Sequence, residues 1–257
     1  MPTSLGAHNP RVDLARDLLT KKGRREHGVF AFEGQTLLAE AIQSGTPVQS
    51  LYVTQHAYET TPLALDLESR GVDVYLVDDR TMRKISDLET PSGVVAIAPI
   101  RLYSLAELLQ APGIVLVLAD LNDPGNAGTL LRSAEAFGVD RVVFGARGAD
   151  PHHPKVVRAA MGAFFRQHIA VGGPAELQAV LGDWEATGLA AGGEPLAGLN
   201  WQPRSLVVVG NERHGVGPWQ AVCSRLAAIP MRGQAESLNA AVAGSIALYE
   251  ASKRVHP

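Results

Sequence analysis

One cysteine, Cys223, occurs in 257 residues, which excludes an internal disulfide and any multi-cysteine zinc site. No apolar run reaches about 18 residues, the length a helix needs to span a bilayer. The opening residues, Met-Pro-Thr-Ser-Leu-Gly, lack a basic segment followed by an apolar one, so no secretory leader and a cytoplasmic location are expected. Neither G-x-G-x-x-G nor G-x-x-x-x-G-K occurs anywhere, which makes nicotinamide dinucleotides and nucleoside triphosphates poor candidates. Internal repeats and low-complexity segments are absent as well. Nor is there a positive excess: the net charge is −3, whereas nucleic-acid-binding domains are often basic overall.

What is present is the composition of a folded protein, with 46% apolar and 19% charged residues, in a chain long enough for one large or two modest domains. Charge is unevenly distributed. Between Arg11 and Phe30, Arg11, Arg16, Lys21, Lys22, Arg24 and Arg25 outnumber Asp13, Asp17 and Glu26, and Lys21-Lys22-Gly23-Arg24-Arg25 is the densest positive run. Taken alone, such a run is a solvated helix end.

Apolar periodicity alternates between helix and strand along the first hundred residues. Helices are expected over 10–22, 34–44, 62–70 and 80–88, and strands over 28–32, 48–53, 72–77 and 94–98. The alternation predicts an α/β fold with a mainly parallel or mixed sheet. Pro99 and residues 105–112 read as the connection to a second domain, giving expected domains of 1–104 and 105–257. The second opens with Ile114-Val115-Leu116-Val117-Leu118-Ala119, a continuous apolar run expected of a central parallel strand covered on both faces. A helix is expected over 129–137. Further strands are expected at 141–144, 167–171, 187–191, 206–209 and 226–229, and an alanine-rich helix after Asn239.

Ligands of open α/β sheets sit beyond the carboxyl ends of the strands. That rule selects three loops, 120–128, 210–218 and 230–237, all rich in glycine and polar residues. In the first, Asn126 stands near a helix start and Arg132 nearly two turns in, where a guanidinium can hold a phosphate. In the second, Gly210 follows an apolar strand directly and lets a ligand approach the backbone, while Glu212 can accept hydrogen bonds. In the third, Ser237 and Asn239 converge at a helix start, where the serine is suited to cap the helix. The small residues Ala240, Ala241, Ala243, Gly244 and Ala247 leave one side of that helix open to very close packing.

The ordered set Asn126-x5-Arg132, Gly210-x-Glu212-x2-Gly215 and Ile229-Pro230-Met231 to Ser237-Leu238-Asn239 resembles the three motifs of the SpoU family of RNA ribose 2′-O-methyltransferases, within the knotted methyltransferases. Each motif is weak alone; the ordered triple is specific and spans residues 114–252. Residues 10–98 resemble the small RNA-binding, ribosomal-protein-like domain that precedes the catalytic domain in many members.

The resemblance implies a small α/β RNA-binding domain followed by a parallel-sheet methyltransferase domain with a trefoil knot. It implies S-adenosylmethionine held by Gly210, Ile229, Met231, Ser237 and Leu238, and a catalytic set of Asn126, Arg132, Glu212, Ser237 and Asn239. It also implies a homodimer in which Arg132 serves the partner's cofactor, and no metal. The proton of the ribose hydroxyl goes either to Arg132, the family's proposed base, or to Glu212. An arginine remains protonated in nearly any protein, so a phosphate clamp is its physically preferred role. RNA contacts are expected from Lys21, Lys22, Arg24, Arg25 and Arg158. The separate N-terminal domain favours 23S rRNA over tRNA, by analogy; a non-catalytic RNA-binding protein that retains the fold is the competing class. His152 and His153 are expected to be exposed loop histidines rather than metal ligands.

Overall fold

The computed structural model describes residues 2–211, 215–234 and 237–255. In chain order the elements are β1 (Thr3–Ser4), α1 (Pro10–Asp17), α2 (Lys21–His27), β2 (Val29–Glu33), α3 (Gln35–Gln43), β3 (Ser50–Val53), α4 (Gln55–Thr60), α5 (Pro62–Ser69), β4 (Asp73–Leu76), α6 (Asp79–Ile85) and β5 (Val94–Pro99). There follow α7 (Leu105–Leu108), β6 (Gly113–Leu118), α8 (Pro124–Ala136), β7 (Arg141–Gly145), α9 (Pro154–Ala160), α10 (Ala163–Arg166), β8 (His168–Gly172) and α11 (Pro174–Val180). The last are β9 (Glu185–Pro195), β10 (Arg204–Val209), a 3₁₀ helix (Gly217–Val222), β11 (Arg225–Ala228) and α12 (Ala240–Val255). Two compact units result: residues 1–100 with 152–165, and residues 101–151 with 166–257.

The first unit is built on a mixed five-stranded sheet of order β1-β4-β3-β5-β2, with β5 antiparallel to both β3 and β2. The helix expected over 10–22 is two helices. Thr20 breaks the run, because its hydroxyl accepts from the Gly23 N–H at 3.0 Å and caps α2. The turn is tight: a β-carbon on Gly23 would stand 2.2 Å from the Asp17 carbonyl oxygen. Edge strand β2 is buried along its whole length, since rings from the 152–165 segment cover it, with Phe30 against His152 and Phe164 and Phe32 against Phe165. His152 is therefore buried, not exposed as expected. His153 is the N-cap of α9 and accepts from the Lys155 N–H at 3.1 Å.

The second unit carries a six-stranded sheet of order β11-β9-β10-β6-β7-β8, parallel throughout. Val115, Val117, Leu206 and Val208 pack on one face with Leu177, Trp184 and Trp219, while α12 packs on β10 and β6 from the other, with α8 beside it. Both faces are dry, which is why β6 and β10 read as unbroken apolar runs. The Asp123 carboxylate accepts from the Asn126 N–H at 2.7 Å and Pro124 fills the first helical position, so α8 starts at Pro124, ahead of the expected Thr129. Helices α8 and α12 lie side by side and parallel. Asn126 meets Asn239, a β-carbon on Gly244 would stand 2.5 Å from Leu130, Ser133 bonds Ser245 at 2.7 Å, and Phe137 stacks near Tyr249. Among the described residues no helix is long and apolar enough to cross a membrane.

Candidate active site

The strands of the parallel sheet all point the same way, so their carboxyl ends form one rim. There β10 and β11 end, and the middle of β9 passes, around a cavity of about 320 Å³. Its floor is Leu189, Ala190 and Ala191 from β9 and Val209, Gly210, Asn211 and Gly215 at the end of β10. Ala227, Ala228, Ile229 and Met231 form one wall, and Ser237, Leu238, Ala240 and Ala243 close the other. All five residues expected to hold the cofactor, Gly210, Ile229, Met231, Ser237 and Leu238, line it.

Glycine at 210 has a steric reason. A β-carbon there would stand 1.8 Å from the Gly215 carbonyl oxygen and 2.5 Å from the Val216 nitrogen, atoms of a backbone that cannot yield. Asn211 and Gly215 exchange backbone hydrogen bonds at 3.0 and 2.9 Å, which holds these two residues side by side at the end of β10. Glu212, expected in the second loop, lies outside the described residues.

The helix cap differs from expectation. Asn239, not Ser237, caps α12: its Oδ1 accepts from the Ala241 and Val242 N–H groups at 2.9 and 3.3 Å. Its Nδ2 donates to Asn126 Oδ1 at 3.0 Å. One amide therefore starts α12 and ties it to the start of α8, which joins the first and third loops. Ser237 is left to face the cavity.

Arg132 stands apart. On α8, Ala127, Leu130, Leu131 and Ala134 are buried; at about 100° per residue the guanidinium leaves the helix on its exposed side, roughly 120° around from the Asn126 seam. It is exposed, is not among the cavity-lining residues, and makes no hydrogen bond or ion pair among the described residues. The chain does not bring its arginine to its own cavity.

The expected RNA-contacting residues divide. Lys21, Lys22 and Arg25 are exposed, with Lys22 3.6 Å from Glu26. Arg24 is a correction to the sequence reading: it is 1% exposed, and its guanidinium donates to the Leu18 carbonyl at 2.8 Å, so it stabilises the turn between α1 and α2 and presents no charge to a phosphate. Arg158 is half-buried and held by Asp87, its Nη1 2.9 and 2.8 Å from the two carboxylate oxygens.

The sequence reading missed the β9 contribution, Leu189 to Ala191, because small apolar residues in a strand carry no chemical signal. Asp120, two residues past β6, was also missed; its backbone is in the left-handed region at φ 51°, and only the fold discloses this. Among the described residues no group of three or more His, Cys, Asp or Glu is placed to hold a metal ion.

The cavity suits S-adenosylmethionine. Its described lining is small and apolar with main-chain polar atoms and contains no lysine or arginine, so a flat base can be covered and a sulfonium is not repelled.

Comparison with known proteins agrees. A model described as the SpoU rRNA Methylase family matches residues 113–249, and one described as an MRM3-like substrate binding domain matches residues 9–96. The chain is 34% identical over 250 residues to the 23S rRNA (guanosine(2553)-2′-O)-methyltransferase RlmP of Bacillus subtilis, covering 95% of this chain and 96% of that protein. It is 29% identical over 266 residues to a 23S rRNA (uridine(2479)-2′-O)-methyltransferase of Streptomyces viridochromogenes, covering 96% and 91%. Its fold matches the crystal structure of an AdoMet-bound rRNA methyltransferase from Sinorhizobium meliloti with a TM-score of 0.86 at 28% identity, over 98% of this chain and 97% of the other. The SpoU methyltransferase AviRb of Streptomyces viridochromogenes, in complex with AdoMet, matches with a TM-score of 0.84 at 26% identity, over 96% and 98%.

Proposed function

The chain belongs to the SpoU rRNA methylase family, and from that premise we propose that it methylates a ribose 2′-hydroxyl of 23S ribosomal RNA, using S-adenosylmethionine. The observation that carries this reading is the convergence of three separate loops on one rim: Gly210 and Leu238 line the cavity, and Asn239 beside them bonds Asn126 at 3.0 Å. Bound S-adenosylmethionine supplies a methyl group already activated by the sulfonium, so the protein needs no metal.

What remains for the protein is alignment and charge. Gly210, Ile229, Met231, Ser237 and Leu238 hold the cofactor, largely through main-chain and apolar contacts. Asn126 and Asn239 fix the loops against one another and orient the ribose. Arg132 stays protonated; it clamps the adjoining phosphate and lowers the cost of negative charge on the 2′-oxygen. Glu212 is then the better proton acceptor. Glycines at the close crossings, Gly210 on Gly215, Gly193 on Ala227 and Gly244 on Val209, support a C-terminal chain threaded through an earlier loop, the trefoil knot of this family.

Arg132 reaches a cavity in a partner subunit. Its exposed position supports this, as do Val242 and Tyr249, which leave α12 with large apolar side chains 48% and 49% exposed that a second copy would cover. The unit of residues 1–100 with 152–165 binds the RNA, with Lys21, Lys22 and Arg25 on phosphates and Arg158 held by Asp87 to one side.

The test is methyl transfer from tritium-labelled S-adenosylmethionine to separate pools of unmodified 23S rRNA, 16S rRNA and tRNA. Label in 23S alone, at one alkali-resistant position and lost in Arg132→Ala, is the expected result. Label in tRNA overturns the substrate, and neither label nor cofactor binding overturns the enzyme. Mixing Arg132→Ala with Gly210→Ala tests the dimer: half the random dimers are mixed, each with one complete site, so activity recovers to about a quarter of wild type. No recovery would place Arg132 on its own chain's cavity.

A further inference from the structure

We infer that Asp120 is a positioning residue for methyl transfer, the node that sets the three active-site loops relative to one another; this rests on the function proposed above. Asp120 is the first residue of the first loop, and it adopts φ 51°, the left-handed region that Asp and Asn enter more readily than other residues with a β-carbon, though at a cost glycine does not bear. Strain of this kind persists where the surroundings over-determine it, and here they do. The buried Trp219 indole N–H donates to Asp120 Oδ2 at 3.1 Å. The Arg147 guanidinium donates to the same oxygen at 3.2 Å, and the Arg147 backbone N–H donates to Oδ1 at 3.2 Å. The neighbouring loop is cut to fit: a β-carbon on Gly145 would stand 2.5 Å from the Asp120 nitrogen, and one on Gly148 2.8 Å from the Leu121 carbonyl oxygen.

Each contact leads to a loop of the site. Trp219 lies in the 3₁₀ helix at the end of the second loop, four residues beyond Gly215, whose backbone bonds that of Asn211. The left-handed turn at Asp120 sends the chain through buried Leu121 to Asp123, whose carboxylate caps α8 at the Asn126 N–H. Asn126 in turn accepts from Asn239, next to the cavity-lining Leu238. A shift at Asp120 therefore moves Asn126 and Asn239 together against the cavity, yet no residue from 120 to 128 lines the cavity itself. Cofactor affinity and methyl transfer should come apart.

Asp120→Gly removes the carboxylate without straining the backbone, because glycine accepts the left-handed conformation. The melting temperature should fall only modestly, because relief of the backbone partly offsets the loss of the acceptor for the buried Trp219 N–H, and the S-adenosylmethionine Kd should hold. The kcat on 23S rRNA should fall by up to about 100-fold, the effect of roughly 1 Å of misplacement. Trp219→Phe, which removes only the N–H, should fall part of the way. Asp120→Asn keeps an acceptor oxygen and tolerates the backbone, so it should recover most of the rate. Hydrogen exchange supplies a readout free of activity: Asp120→Gly should lose amide protection in the first turns of α8 and α12 while β7 keeps it. Unchanged protection at both helix starts, or a loss of cofactor affinity in proportion to kcat, overturns the inference. Exchange decides for or against Asp120 whichever RNA is methylated; absence of transfer by the wild type counts instead against the proposed function.

Discussion

Asn239 offers the most direct energetic test of how the site is assembled. Substituting alanine removes two bonds to the first N–H groups of α12, at 2.9 and 3.3 Å, and the 3.0 Å bond to Asn126. Loss of a helix cap of this kind costs about 1 kcal/mol. The Asn126 bond is solvent-exposed and adds about 0.5 kcal/mol. The sum, roughly 1.5 kcal/mol, corresponds to a fall in Tm of about 3–6 °C for a chain of this size. Asn239→Asp divides the two contributions: a carboxylate still accepts from the helix start and is favoured there by the helix dipole, but it cannot donate to Asn126. Thermal melts of both variants at neutral pH are the assay. Asn239→Asp should melt within about 2 °C of wild type, and Asn239→Ala well below it. Equal losses in the two variants would refute the cap; no loss in Asn239→Ala would refute both contacts.

Gly210→Ala places a β-carbon 1.8 Å from a backbone oxygen, so isothermal titration should detect no S-adenosylmethionine binding, and retained affinity would mean that the β10 loop is not the cofactor's floor. In the first unit, replacing Lys21, Lys22 and Arg25 together by alanine should leave Tm unchanged and reduce the slope of log K against log[salt] for RNA by about 2–3. Arg24→Ala should instead cost about 2 kcal/mol in stability, since a buried guanidinium and its bond to Leu18 are lost, and its RNA-binding salt slope should match wild type. Burial pushes the Cys223 thiol up to about 11, above the ordinary value of about 8.5 in an unfolded chain. The protonated thiol's contribution is thus fully present below about pH 8.5 and is lost as pH rises toward 11. Melts should show wild type losing stability faster than Cys223→Ala across that window, and parallel curves would contradict the burial.

Legibility in the sequence followed the range of the interactions. The central strands β6 and β10 were read correctly because a strand with two dry faces is apolar at every position, a property written in consecutive residues. The break at Thr20 was not read: α1 and α2 share one helical apolar period, and the cap at Gly23 depends on a hydroxyl any helix could have pointed outward. Ser237 and Asn239 are both good caps locally; which one serves was decided by where the cavity took the serine. Arg24 shows the same limit with charge. Its neighbours Lys21, Lys22 and Arg25 are exposed, while the turn at Gly23 folds Arg24 inward onto Leu18.

By itself the sequence determined the α/β class, the order of the three loops and the residue types that meet at the strand ends, because strand periodicity, turn chemistry and motif spacing are local along the chain. Only the tertiary structure decided that residues 152–165 cover β2 of the first unit, that Asn126 and Asn239 share one hydrogen bond across 113 positions, and that Arg132 faces away from its own cavity. Those outcomes depend on which faces of distant helices and strands remain to be buried once the sheets have formed, and that is a property of the packed whole.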